Sequence, residues 1–371
     1  MTSPSRTTLT ELEKYAALLD EARRIQGTSL GKDAWRRLRR NRVAMLSLAF
    51  LVLISVAAAL TPFWPLQSPI EQDLSAGGPF QEPTFVSARL GLTEMDASQY
   101  SQRFEELFHK RNALDHLLVR ARLALFGDWC IGSWCGTDLL GRDLLARLFW
   151  GARVSLIVGI VATLVSLVIG VSYGAISGYL GGRWDNAMMR GVDILYSIPF
   201  IFVVIFLLTI LNEDTNRQWL RDWEINQITV FYLLIGAIYW LTMARVVRGQ
   251  VISLKNEQFV EAARAVGARR LAIIFRHLVP NLLGIVIVYL TLTIPSVMLF
   301  EAFLSFLGLG VTPPDVSWGL LANDGIQVIT PVQIYWWLVL FPGLALAATL
   351  FALNFLGDGL RDALDPRMTN R

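Results

Sequence analysis

Val154 to Gly182 reads VSLIVGIVATLVSLVIGVSYGAISGYLGG, a stretch without one Asp, Glu, Lys, Arg or His. A helix over it, at ~1.5 Å per residue, is long enough to cross the ~30 Å hydrocarbon layer of a bilayer. An amphipathic surface helix would keep a polar face, and this stretch has none. Five further uncharged runs lie on either side of it: Val43–Ile70, Ile194–Asn212, Ile225–Ala244, Leu278–Phe300 and Gly325–Gly357. The 371-residue chain is 54% hydrophobic and only 17% charged, against roughly 25% charged in soluble domains. The expectation is an all-α integral membrane protein with six transmembrane helices. Gly170, Gly174 and Gly178 repeat every fourth residue inside the quoted stretch. They provide a small-residue face for close helix approach, within the subunit or with a partner, or reflect the glycine enrichment of membrane helices.

The basic residues fix an orientation. Arg36, Arg37, Arg39, Arg40 and Arg42 precede the first run. Arg183 and Arg190 follow the second, and Arg245, Arg248, Lys255, Arg264, Arg269, Arg270 and Arg276 lie between the fourth and fifth. The region from Leu304 to Gln333 has no Lys or Arg. Basic loops stay in the cytoplasm, so both termini are expected there. The first run is too long for a signal-peptide core of about 7–15 residues and reads as a retained helix over 43–64. Before it, residues 1–42 form an N-terminal amphipathic and basic segment. Thr8–Ile25 reads as an amphipathic helix with a Thr10/Glu13 capping box. The arginine cluster abuts a span, so it suits anionic lipid and not nucleic acid.

Residues 65–151 form the large extracytoplasmic region. Apolar residues from Phe104 to Leu125 recur at helical spacing over Gln99–Phe126, either packed on the outer face of the assembly or filling local space. Cys130 and Cys135 are the only cysteines. An oxidising compartment favours a disulfide between them over two free thiols. With His only at 109, 116 and 277, no metal-ligand cluster emerges. Glu301 falls late in the fifth run, where a carboxylate is costly and often functional. Helix-end hydrogen bonding or gating suits it better than a proton relay, which would need further intramembrane acids.

The polar segment Glu261-Ala262-Ala263-Arg264-Ala265-Val266-Gly267, with Pro280 thirteen residues after the glycine, lies between two spans. Glu257–Ala268 is rich in helix formers. Gly267 can end that helix in a left-handed conformation, a second helix can run over Leu271–Leu278, and Pro280 can start or kink the next. Small Ala262 and Ala263, with Val266 on a nearby face, can seat in a partner's groove, and Glu261 with the arginines can hold register. The alternative is a basic loop that only sets orientation.

Other segments join this one: GTDLLGRD at 136–143, GARVSL at 151–156, SGYLGG at 177–182, MARVVRGQ at 243–250, EAFLSFLGLG at 301–310 and NFLGDGLRDALDP at 354–366. The ordered set resembles the C-type permease subunit of peptide ABC importers, the oligopeptide branch in particular. His277 and Val279 depart from the general loop pattern, and the outer loop is longer than the family core requires, so residues 72–126 inherit no role from the resemblance. The resemblance implies a five-helix permease core over 152–357 plus the N-terminal helix. It further implies a cytoplasmic coupling loop over 248–280 carrying Glu261, Ala262, Ala263, Val266, Gly267 and Pro280, and a cytoplasmic tail over 358–371. The partners it implies are a homologous B-type permease subunit, two ABC ATPase subunits, an extracytoplasmic peptide-binding protein and the lipid of a bacterial inner membrane.

A phosphate-binding loop needs G-x-x-x-x-G-K-[ST]. Gly27 to Asp33 has the wrong spacing. ATP and Mg are therefore expected on the partner ATPases, with no cofactor and no catalysis in this chain. The cargo is expected to be oligopeptide. Dipeptides, nickel or a peptide-like antibiotic are same-family alternatives, and an ion-coupled secondary transporter is the rival class.

Overall fold

The computed structural model describes residues 30–364, apart from 76, 93–96, 109–111, 212, 214–217 and 219–226. The expected helix at Thr8–Ile25, the tail beyond residue 364 and most of the loop after residue 211 lie outside the described residues. The chain runs through α1 (Leu30–Arg40), α2 (Arg42–Ala59), β1 (Val86–Arg89), α3 (Ala97–Phe108), α4 (Ala113–Phe126) and β2 (Trp129–Gly132). It continues through α5 (Leu144–Leu180), α6 (Gly182–Ser197), α7 (Phe200–Leu211), α8 (Gln227–Leu254), α9 (Gln258–Ala265), α10 (Arg270–Ala272) and α11 (Val279–Phe306). The last helices are α12 (Trp318–Gln327) and α13 (Trp336–Leu364).

Among the described residues, five helices are long and apolar enough to cross a membrane: α2, α5, α8, α10 running into α11, and α13. The sixth expected span, Ile194–Asn212, is not one straight helix. It is a bent pair, α6 and α7, meeting at 81°. Pro199 is the cause: it disfavours helical backbone at Ile198, which is extended at φ −82° and ψ 126°. Two other boundaries move. α5 begins at Leu144, well before the uncharged run, and Gly325–Gly357 splits into part of α12 and most of α13. The fold is also not purely helical, because β1 pairs antiparallel with β2, Ala88 opposite Cys130.

α5 and α8 form the tightest seam. A Cβ built on Gly174 would lie 2.3 Å from the Ala244 carbonyl oxygen, and on Gly170 2.6 Å from the Met243 Cβ. On Gly178 it would lie 2.8 Å from the Arg248 oxygen. The glycine stripe therefore closes a contact within this subunit, where small residues let backbones approach.

At one end of the bundle α1 and the last turns of α13 meet: Ala34, Leu38 and Ala44 pack with Ala363. The chain ends of the described bundle thus share a side. At the other end a lobe forms around Leu90, Leu92, Phe104, Leu107, Phe108, Val119 and Cys130. It rests on α5 through Trp150, which belongs to the same cluster. The expected helix over Gln99–Phe126 is two helices, α3 and α4, with Phe104 stacked on His116 at 4.0 Å between ring centres. The expected disulfide is not formed. Cys130 faces the lobe core while Cys135 packs against the cluster of Trp318 and Trp337. Burial pushes the thiols up, Cys130 to about 11 and Cys135 to about 12.

Candidate functional site

α9 sits beyond the ends of α5 and α8. Val260 is fully buried, and Ala263 and Ala268 pack beside it on Val171, Ala175, Val247, Val251 and Ile274. The helix closes with a pair of backbone bonds: Ala268 N–H to the Ala263 oxygen at 3.0 Å and Gly267 N–H to the Arg264 oxygen at 2.9 Å. Gly267 is left-handed at φ 82°. This is the Schellman ending, in which the residue after the cap glycine packs back on the helix. Here Ala268 and Ala263 share one cluster. The glycine therefore ends the helix as its position in the sequence leads one to expect.

The two alanines do not act together. Ala262 is exposed with Glu261, while Ala263 is turned into the bundle. Only one face of a helix can point outward, and Val260 and Ala263, three apart, define the inner one. The outward surface is Phe259, Glu261, Ala262, Ala265, Val266 and Gly267, with Val266 89% exposed. Arg264 turns back, donating to the Lys255 oxygen at 3.2 Å with its guanidinium over Tyr179. Lys255 donates to the Gly178 oxygen at 3.2 Å, at the α5 terminus.

The expected second helix, Leu271–Leu278, is a helical turn at Arg270–Ala272 followed by a π-helical turn over Ile273–Leu278. Pro280 stands in the first turn of α11 and is exposed. A proline has no N–H for the bond four residues back and its ring crowds that carbonyl; a widened π turn just before it takes up the misfit. The chain passes into α11 as one long helix, so Pro280 opens the span without breaking it.

Charged groups that the sequence reading used only for orientation turn out to tie α6 down. Arg248 grips Asp185 through Nε and Nη2 at 2.6 and 2.7 Å, and Ser177 donates to the same carboxylate at 2.6 Å. Arg245 pairs with Asp193 at 2.8 Å and stacks over Tyr196. The three-residue spacing of Arg245 and Arg248 places them on one face of α8, which was the available signal.

A second set lies at the opposite end, on GTDLLGRD. Asp138 accepts from the Leu140 and Arg142 backbones at 2.9 and 3.0 Å and from Arg142 Nε at 2.7 Å. It also accepts from buried Arg147, whose other amino group reaches Asp324 of α12 at 3.3 Å. Asp143 caps α5 by accepting from Ala146 N–H at 2.8 Å and holds Ser133 N–H at 2.9 Å. Burial pushes the Asp143 carboxyl up to about 6, although these backbone donors oppose the rise. Glu301 is fully buried and accepts from Ser305 and Ser317 at 2.8 and 2.7 Å. Ser317 also caps α12, and the next residue, Trp318, accepts no slack: its N–H donates to Ser155 at 3.1 Å and its ring N–H to the Leu148 oxygen at 3.0 Å. Glu301 thus clips α12 to α11 at a helix end, and no further intramembrane acid lines up with it among its hydrogen-bond partners.

The pattern described as "Binding-protein-dependent transport system inner membrane component" matches residues 170–370, and that described as "N-terminal TM domain of oligopeptide transport permease C" matches residues 29–83. The oligopeptide transport system permease protein OppC of Haemophilus influenzae is 39% identical over 96% of this chain and 94% of its own length. That of Escherichia coli is 39% identical over 96% of both. The dipeptide transport system permease protein DppC of Bacillus subtilis is 38% identical over 92% of this chain and 87% of its own. With spans and matches in agreement, the chain belongs to the inner membrane components of binding-protein-dependent transport systems, as a multi-pass permease subunit of an ABC importer.

Proposed function

We propose that this subunit imports oligopeptides by alternating access, with α9 and the Gly267 turn as the part that an ATPase moves. The observation that carries the proposal is the exposed edge Phe259–Glu261–Ala262–Val266 on a helix held to the bundle by Val260, Ala263 and Ala268 and by Arg264 over Tyr179. Such an edge offers a partner apolar surface at its centre and charge at its rim, as interfaces require. The basic residues gathered around it support a cytoplasmic location for it, and the packing of α1 on the end of α13 supports the same side for both. The assembly would comprise a B-type permease subunit, two ATPases holding ATP and Mg, and an extracytoplasmic peptide-binding protein. ATP binding would favour the outward-open state through its differential affinity for the two states.

The relatives' names support oligopeptides, and the Bacillus subtilis relative supports dipeptides as a second reading. The test is copurification with neighbouring gene products and uptake of labelled pentapeptide in proteoliposomes. ATP-dependent uptake, competed by pentapeptides better than by dipeptides, is expected. Uptake driven by an ion gradient without any ATPase would overturn the proposal, and preference for dipeptides would move it to the second reading.

A further inference from the structure

We infer that α4 is an interfacial helix, seated in the outermost part of the bilayer with Leu114, Leu117 and Leu125 in the acyl boundary. The inference needs only the membrane-spanning fold and not the cargo. Its first observation is an unpartnered face. Leu114, Leu117 and Leu125 are 62, 63 and 69% exposed, although Asp115, Val119 and Arg122 on the adjoining face are buried. Leu118 and Ala121 lie between the leucines, half-buried, and complete a stripe at helical spacing.

The second observation is the level at which α4 is held. α2 has 18 residues, from Arg42 to Ala59, about 27 Å at ~1.5 Å each, close to the ~30 Å hydrocarbon thickness. Its far end therefore marks a membrane boundary. That end carries Phe63 and Trp64, aromatic residues of the kind that collect at such boundaries, and Trp64 donates to the Ala57 oxygen at 3.1 Å. Thr61 donates to the Phe149 oxygen of α5 at 3.2 Å, so Phe149 is at the same level. α4 is tied to this level at both ends. Phe126 meets Phe63 edge-on at 6.1 Å. Asp115 accepts from Arg153 at 2.9 Å, one helical turn along α5 from Phe149. A 14-residue helix pinned at both ends to one level lies along the bilayer surface, and its leucines continue the apolar surface that α2 exposes through Val52, Leu53 and Val56. Lipid is the occupant that this continuity selects.

The test uses the full chain with its copurifying subunits in nanodiscs of phosphatidylethanolamine and phosphatidylglycerol. Spin labels at Leu117→Cys and Leu125→Cys are compared with Ser87→Cys on exposed β1, with Cys130 and Cys135 replaced by alanine. Relaxation by oxygen should exceed relaxation by a water-soluble nickel chelate at 117 and 125, with the reverse at 87. The unmodified chain serves as a second measurement, because a photoreactive phospholipid should crosslink to the peptide containing 113–126. Labels at 117 and 125 relaxed mainly by the nickel chelate would overturn the inference. So would labels shielded from both relaxers together with no lipid crosslink, which would give this face to a protein partner.

Discussion

The two ends of the bundle differ in what fixes their outermost element. At the lobe end, Asp138, Arg147 and Glu301 are buried and bound to partners inside the chain. At the α9 end the Arg248–Asp185 pair ties α6 to α8, but no ion pair holds α9: Glu261 is exposed with no ion-pair partner among the described residues, and the helix rests on Val260, Ala263 and Ala268 with Arg264 over Tyr179. Buried ion pairs punish any displacement, because moving one partner strands the other away from water. Contacts between small apolar side chains yield more gradually. The lobe end is thus built to keep α5, α11 and α12 in one arrangement. The α9 end can shift against the spans and still hold on, which is what a part that transmits a partner's movement needs.

The contrast is broken most severely at Asp138. Asp138→Ala leaves Arg147 buried against Asp324 alone, which is itself partly exposed. Stranding a buried charge costs about 3–5 kcal/mol. The expected outcome is loss of folded subunit, read as a lowered unfolding midpoint in detergent and reduced recovery from membranes. An unchanged midpoint would mean that the lobe end is not the rigid one.

Asp143 sharpens the same point through pH. Its folded carboxyl is raised to about 6 from an ordinary 3.8, chiefly by burial. The folded protein therefore holds a proton there that the unfolded chain has released between these values. Stability from this group is fully present below pH ~4 and is lost as pH rises through ~6, a difference on the order of 2–3 kcal/mol. Asp143→Asn keeps an acceptor for the Ala146 N–H and removes the titration. Unfolding midpoints across pH 4–7 should fall less steeply in the variant, and parallel curves would contradict the assignment.

How much of this was legible without coordinates follows from the kind of signal. Uncharged runs are local, so five spans stood out, and the glycine stripe was readable because its spacing alone defines a helix face. The sixth run is present as a bent pair, and apolar composition says nothing about such a change of direction; only Pro199 within it points to the 81° bend. The end of α9 at the Gly267 turn follows from glycine's tolerance of φ 82°. Which alanine faces outward was not readable, since Ala262 and Ala263 are chemically identical neighbours and only the packing of Val260 separates them. The Asp138–Arg147–Asp324 network joins residues far apart in the chain, and no spacing rule reaches that far. The cysteine pairing rested on redox compartment and on a short loop able to close, and the side on which each thiol packs overrode it.

The smallest expected effect on folding falls at the Gly267 turn, where the consequence for transport is proposed to be large. A side chain there meets no atom within 4 Å, so the only penalty is the left-handed backbone. That costs an L-residue about 1–2 kcal/mol, less for asparagine, which enters this region more readily. Gly267→Asn should therefore keep the Schellman ending, the unfolding midpoint and ATP-dependent uptake near those of the parent. Gly267→Asp should leave the spans inserted and the lobe end intact, while its charge and strain weaken copurification with the ATPase or abolish peptide-stimulated hydrolysis. Val266→Glu separates strain from contact: its backbone is ordinary right-handed helix, and an exposed substitution of this kind moves stability by about 0.5 kcal/mol or less. If Val266→Glu uncouples uptake from hydrolysis without shifting the midpoint, the exposed edge itself is the contact. Normal uptake and hydrolysis in both Gly267→Asp and Val266→Glu would mean that α9 is a loop that merely joins two spans, and the functional contrast between the ends would vanish.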